Sequence, residues 1–227
     1  MKGITIAPLT DQPRIRRALS ELLVETVANG GSVSFMHPLP LETADVFWRD
    51  SLASADHGER IVLGAFDAES LVATVTLLLG LPQNQPHRAE IAKMMTKVSH
   101  RGRGIASALM GAAEAMALER DRTLLVLDTA VEDGASGLYE GLGFNLTGII
   151  PDYAFKPHGG LTGTMIYWKR LAAGGDRQEV RRLQAGAADQ GAIDVGNGHQ
   201  LSRVGRLDGT AIEDAHARAL NAKSVVE

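Results

Sequence analysis

Lys97-Val98-Ser99-His100-Arg101-Gly102-Arg103-Gly104-Ile105-Ala106-Ser107 is a basic, glycine-rich hinge between two different periodicities. Upstream, Arg88 to Val98 reads as a β-strand. Downstream, Ile105, Leu109, Met110, Ala113, Met116 and Ala117 recur along one helical face. Glycines at 102 and 104 let a backbone approach a ligand closely. The helix that follows begins with unpaired N–H groups and the positive end of its dipole. Strand, glycine turn and helix start in this order make a cradle for a pyrophosphate, with Arg101 and Arg103 adding charge. No Gly-Lys-Ser/Thr follows, so this is not a Walker loop, and the three-glycine dinucleotide spacing is absent. Taken alone, the run reads equally well as a solvated turn.

Outward from the hinge, the chain alternates short β-rich and helical segments. Residues 4–9 read as a first strand. Pro13 suits a first helical turn, with Asp11 as its candidate cap, and Ile15, Leu19, Leu22, Leu23 and Val27 continue at helical spacing up to Gly30-Gly31. Leu41 to Ala55 reads as a second helix. Arg60 to Phe66 and Leu71 to Leu79 form a hairpin across Asp67-Ala68-Glu69-Ser70. Past the glycine-loop helix, Leu124 to Leu127 is a buried strand. Asp133 is placed to cap a short helix through Leu142, which Gly143 ends. Phe144 to Ile150 and Leu161 to Trp168 are the last strands. The domain is therefore expected over residues 1–171. Residues 172–227 hold no Phe, Tyr or Trp and balance seven Lys/Arg against eight Asp/Glu. They are expected to be disordered or weakly helical.

The whole chain has 227 residues, 44% of them hydrophobic and 22% charged, as in ordinary globular proteins. A net charge of −4 with 4% aromatics disfavours a nucleic-acid partner. There is no cysteine, which excludes disulfides, thiolate metal sites and a cysteine nucleophile. The seven histidines show no His-Glu-x-x-His spacing, so no metal is expected. The N-terminus lacks the apolar core of a signal peptide. The most apolar run, Leu71 to Leu81, is far below the ~20 residues of a membrane span. A cytoplasmic protein without membrane contact is expected.

The loop Arg101-x-x-Gly104-x-Ala106, together with Tyr139-Glu140-Gly141-Leu142-Gly143-Phe144 downstream, resembles the GNAT superfamily of acetyl-CoA-dependent N-acetyltransferases. The resemblance covers residues 1–170. Val98 stands where many members have proline, and Ala106 replaces a commoner glycine. More narrowly, Glu25-Thr26-Val27, Gly30-Gly31-Ser32-Val33, Phe35-Met36, Arg88-Ala89-Glu90, Leu127-Asp128-Thr129 and Pro151-Asp152-Tyr153 are similar to tabtoxin-resistance acetyltransferases. The resemblance implies an α/β fold of three layers: a mixed central sheet, splayed at the cofactor site, with helices on both faces. It implies acetyl-CoA as co-substrate. Met94, Met95 and Thr96 would meet the pantetheine arm through their backbones, and Gly102, Arg103, Gly104, Ile105, Ala106 and Ser107, with Arg101, would hold the pyrophosphate.

Acetyl transfer needs an amine that loses a proton and an acid for the departing thiolate. Tyr139 is the candidate acid, because a phenol is protonated at neutral pH; a core tyrosine is the alternative. Glu90 and Asp128 are the candidate bases, each equally readable as a structural carboxylate or an amine anchor. His37 and His158 lie in loops, and Phe35, Met36, Trp48 and Tyr153 could shape an acceptor site or pack in the core. The implied activity is transfer of an acetyl group to the primary amine of a small amino-acid-like molecule, a tabtoxin-type toxin among the options, in a direct ternary complex by a monomer or homodimer. A non-catalytic acyl-CoA-binding module is the alternative.

Overall fold

The computed structural model describes residues 3–132 and 134–172. Asp133 and the expected C-terminal extension beyond Ala172 lie outside them.

Seven strands form one sheet: β1 (Ile4–Pro8), β2 (Arg60–Asp67), β3 (Ser70–Leu78), β4 (Arg88–Thr96), β5 (Leu124–Ala130), β6 (Asn145–Phe155) and β7 (Leu161–Arg170). Their spatial order is β1-β2-β3-β4-β5-β7-β6. Every pairing is antiparallel except β4 with β5. Among the described residues the α-helices are α1 (Pro13–Ala28), α2 (Leu41–Asp56), α3 (Ile105–Leu118) and α4 (Ser136–Gly141). Two cores result. Leu19, Leu22, Leu23 and Val27 of α1 and Trp48 and Leu52 of α2 bury one face of the sheet against Val62, Leu71 and Met95. Ile105, Leu109, Met110, Ala113 and Ala117 of α3 bury the other face against Leu63, Val75, Ile91 and Leu125. This is the expected three-layer α/β arrangement with helices on both faces.

The parallel pair is where the sheet opens. β4 and β5 are in register only from Arg88↔Leu124 to Ile91↔Leu127. Beyond that point β4 runs on to Thr96 and β5 to Ala130 without pairing with each other. A bulge in β4 drives the divergence. Thr74 of β3 opposes Met95 and Thr76 opposes Ala92, so β4 carries one extra residue there. Lys93 sits inside it at φ 52°, in the left-handed region. An extra residue bends its strand and increases the local twist, which turns β4 away from β5.

Three local readings are corrected. Asp11 does not cap α1: Gln12 holds the cap position without a side-chain bond. Asp11 instead accepts a hydrogen bond from Arg16 at 2.8 Å, and Asp45 of α2 takes the same guanidinium at 2.8 Å. The ion pairs tie the two helices together, a tertiary demand that outweighs the local cap. The short helix begins at Ser136 after Ala135, later than expected. β6 continues to Phe155, five residues past Ile150, because its register with β7 shifts between Ile150 and Ala154 and the pairing resumes. Pro151 sits in that interruption, on an edge strand where a missing N–H is tolerated.

Candidate active site

The split between β4 and β5 opens a cleft of about 750 Å³. Its walls come from both halves of the hinge. Met94, Met95 and Thr96 run along one side, and Asp128 and Thr129 stand opposite. Met94 packs its side chain toward the α3 core and Met95 toward the α1–α2 core. The backbone is thus left as their contribution to the cleft. The edge of β4 that faces β5 has no strand partner past Ile91, so an extended ligand could add to it by main-chain hydrogen bonds.

At the end of β4 the chain makes a 3₁₀ turn, Val98–His100, and enters the glycine loop. Gly102 and Gly104 both take positive φ, 72° and 74°, which a β-carbon would disfavour. Gly104 is the N-cap of α3 and supplies no side-chain cap. Its carbonyl takes the first helical bond, from Ala108 N–H at 3.1 Å. Among the described residues, the amides of Ile105, Ala106 and Ser107 have no backbone acceptor. All three residues line the cleft with Arg101, Gly102 and Gly104. A fully open row of amides at the positive end of a 14-residue helix suits a pyrophosphate.

Other groups hold the loop. Glu25 of α1 accepts the Val98 N–H at 2.8 Å. Asp67, at the end of β2, takes Arg103 at 3.2 Å and lies 3.5 Å from His100 Nε2. Arg103 therefore faces Asp67 and is not among the residues that line the cleft, whereas Arg101 is. The two arginines of the motif divide the work, one for the wall and one for the scaffold.

The three candidates for proton transfer are placed differently. Tyr139, on α4, is 5% exposed and lines the cleft. Its ring packs edge-on to Phe144 at 6.0 Å and against Tyr167 at 5.8 Å. Tyr167 is wholly buried and donates its hydroxyl to Glu140 at 3.1 Å. Burial, and then the Glu140 carboxylate, push the Tyr167 phenol above the ordinary tyrosine range. Asp128, at the point where β5 leaves β4, is exposed to the cleft and accepts the Thr164 hydroxyl at 3.2 Å. Glu90 lies lower on β4, in the paired part of the sheet opposite Val126. It forms an ion pair with Arg88 at 3.1 Å and does not line the cleft. The structure thus brings Tyr139 and Asp128 to one cavity and leaves Glu90 outside it.

Sequence reasoning missed Lys93. Lys93 lines the cleft from the bulge of β4. Its ammonium donates to Ser34 Oγ at 3.1 Å and sits over the rings of Phe35, 6.0 Å, and Phe47, 5.7 Å. Burial lowers its pKa from the usual lysine value; Asp128 opposes that shift and Arg60 adds to it. The only available sign was a lysine amid apolar residues of a strand, which alone points to nothing. The other expected acceptor residues divide. Trp48 is fully buried in the core, Met36 and Tyr153 are exposed, and Phe35 packs on Phe47. The rings of His37 and His158 lie 4.5 Å apart, tilted at 45°, where the 32–39 loop meets the β6–β7 turn. Among the described residues no cluster of three His, Cys, Asp or Glu side chains is placed to hold a metal, and no helix is long and apolar enough to cross a membrane.

Solved structures share this architecture. Ribosomal-protein-alanine N-acetyltransferase from Brucella melitensis matches with a TM-score of 0.62 at 20% identity, over 73% of this chain and 99% of its own. yncA from Salmonella typhimurium, with acetyl-CoA as its cofactor, matches at 0.62 and 15%, over 77% and 98%. Aminoglycoside 6'-N-acetyltransferase complexed with coenzyme A matches at 0.59 and 18%, over 76% and 99%. At such identities these likenesses speak for the fold. The model of the acetyltransferase (GNAT) family matches residues 24–144, more than half of the sequence, from within α1 through the glycine loop to Phe144. The chain belongs to the GNAT family of acetyltransferases.

Proposed function

We propose that this enzyme transfers an acetyl group from acetyl-CoA to the primary amine of a small amino-acid-like molecule within a ternary complex. The observation that carries the reading is the continuity of one cleft from the open amides at the start of α3, along the unpaired edge of β4, to Asp128 and Tyr139. Two of the solved structures named above carry acetyl-CoA or coenzyme A. In this chain the amides of Gly102 and Gly104 to Ser107, with the Arg101 guanidinium, would hold the pyrophosphate. The backbones of Met94, Met95 and Thr96 would hold the pantetheine arm as an added strand.

The chemistry follows from what remains. Asp128 accepts a proton from the incoming ammonium, directly or through a water, and steers the free amine to the thioester carbonyl. The N–C bond forms as the C–S bond breaks, the Tyr139 hydroxyl gives its proton to the departing thiolate, and the second proton of the acylated nitrogen returns to the Tyr139 phenolate, directly or through a water. Direct transfer fits a chain with no cysteine to carry the acetyl group. Glu90 could take the base's part only through water or a change in its pairing with Arg88. The tabtoxin-type acceptor rests on the sequence runs named above, of which Gly30 to Val33 and Asp128-Thr129 line the cleft.

The test is acetylation of a mixed amine library in the presence of acetyl-CoA, with products identified by mass spectrometry. One or more acetylated small amines are expected from the wild type, with Asp128→Asn slowed by roughly 10²–10⁴-fold, the range for a general base. Absence of any acetylated small amine, or an Asp128→Asn variant as fast as the wild type, overturns the reading.

A further inference from the structure

We infer that Lys93 is the anion anchor of the acceptor site, and that with Asp128 on the opposite rim it selects an acceptor carrying a carboxylate as well as the reacting amine. The inference rests on the reading of this cleft as an acetyltransferase site and names its acceptor class.

The bulge in β4 puts a lysine where the sheet opens. A regular strand would alternate residues 92, 93 and 94 between the two faces. The extra residue breaks that alternation, and Lys93 pays the left-handed backbone cost to reach the cleft at φ 52°. Once there, Lys93 is half-buried, its ammonium with the Ser34 hydroxyl at 3.1 Å and two aromatic faces at 5.7 and 6.0 Å. All three are neutral partners. Among the described residues it has no carboxylate in ion-pair contact. A desolvated ammonium without a counter-ion is an expensive arrangement, and burial weakens its hold on the proton. Phe35 and Phe47 also exclude water from one side of it. A ligand anion would relieve that cost.

The surroundings decide which ligand. Phe35 and Phe47 pack against the α1–α2 core, so Lys93 approaches from that face of the sheet. Ile105, at the start of α3, is buried in the core on the other face. The pyrophosphate cradle and the Lys93 ammonium therefore belong to different sides of the split. Asp128 lines the same cleft and is close enough to Lys93 to act on it electrostatically, though the two are not in ion-pair contact. Two opposite charges held on opposite rims complement a zwitterion, its ammonium toward Asp128 and its carboxylate toward Lys93. A plain amine would satisfy Asp128 and leave Lys93 without a counter-charge.

The experiment compares common α-amino acids with their carboxamides, in wild type and in Lys93→Gln and Lys93→Arg. Acetylation is read as kcat/KM. Binding to the enzyme–coenzyme A complex is read separately by calorimetry, so the outcome does not depend on turnover. The wild type is expected to favour acids over amides by roughly 10–100-fold, the range for a hydrogen bond to a charged group. Lys93→Gln should bring that ratio close to one, mainly through KM, and Lys93→Arg should restore part of it. A wild-type ratio near one, no binding of any acid, or a ratio unchanged in Lys93→Gln overturns the assignment. So does a loss of acetyl-CoA affinity in Lys93→Gln, which would move Lys93 to the cofactor side. Amides acetylated as well as acids would sink this inference and spare the proposed activity. Acids that bind in a Lys93-dependent way without being acetylated would do the reverse.

Discussion

Gly104 stands at φ 74° immediately before the open amides of α3. A left-handed backbone costs an ordinary residue about 1–2 kcal/mol, and a β-branched side chain there would also crowd the approach to the cradle. Gly104→Val should therefore weaken acetyl-CoA binding severely, as read by calorimetry, with a native far-UV circular dichroism spectrum. Unchanged affinity in the folded variant would remove this loop from cofactor binding. Tyr139 offers a cleaner chemical test. Its ring is held by Phe144 and Tyr167, so Tyr139→Phe keeps the packing and removes only the hydroxyl. If that hydroxyl protonates the thiolate in the transition state, single-turnover acetyl transfer should slow by roughly 10²–10⁴-fold. Acetyl-CoA affinity should change little, since the lost interaction belongs to the transition state. A rate within a few-fold of wild type would return Tyr139 to a packing role.

At the scale of elements, β7 controls α4. The buried Tyr167 hydroxyl donates to Glu140, the neighbour of Tyr139, and so fixes the helix that carries the candidate acid. This bond needs the phenol protonated, and the folded pKa of Tyr167 is raised above the ordinary value near 10. A raised folded pKa contributes stability that is complete below the unfolded value and is lost as pH rises through the folded one. Thermal stability should thus fall above about pH 10, and Tyr167→Phe should flatten that limb of the profile while melting lower at neutral pH. A wild-type and variant pair with parallel profiles would separate Tyr167 from the alkaline transition. The same scale explains what was legible in the sequence. α3 and its loop could be read because glycine spacing and a 3.6-residue period are local signals. Asp128 and Tyr139 could be read from the ends of the elements that carry them. The bulge at Lys93 could not, because it is a mismatch between two strands: β4 has one residue more than β3 there. The capping reading at Asp11 failed for a related reason, since its carboxylate goes to Arg16 of α1, whose guanidinium it shares with Asp45 of α2.

For the molecule as a whole, the question is how much of the chain the fold needs. The buried side chains of the described residues run from Leu9 to Leu171. Leu171 is the last of them, 8% exposed in the α3-side core, and its N–H donates to Thr123 at 2.8 Å. This closes β7 against the start of β5. The family match ends at Phe144, and the three solved structures named above span 73–77% of the sequence while using almost all of their own. Residues 172–227 bring no aromatic side chain and a nearly balanced charge. A chain ending after Ala172 should therefore melt within about 4 °C of the full protein, the shift expected from roughly 1 kcal/mol in a domain of this size. It should also bind acetyl-CoA with the same affinity. A chain ending after Trp168 is the informative contrast. It loses Lys169, whose ammonium pairs with Glu114 of α3 at 2.6 Å. It also loses Arg170 from the β5–β7 register and the Leu171 plug. Removing one buried leucine side chain costs about 2–5 kcal/mol, so this shorter chain should melt many degrees lower or fail to stay soluble. If the chain ending at Ala172 behaved like the one ending at Trp168, the residues beyond 172 would have to bury apolar surface on the domain. The two truncations together separate a self-sufficient domain from one completed by its C-terminal segment.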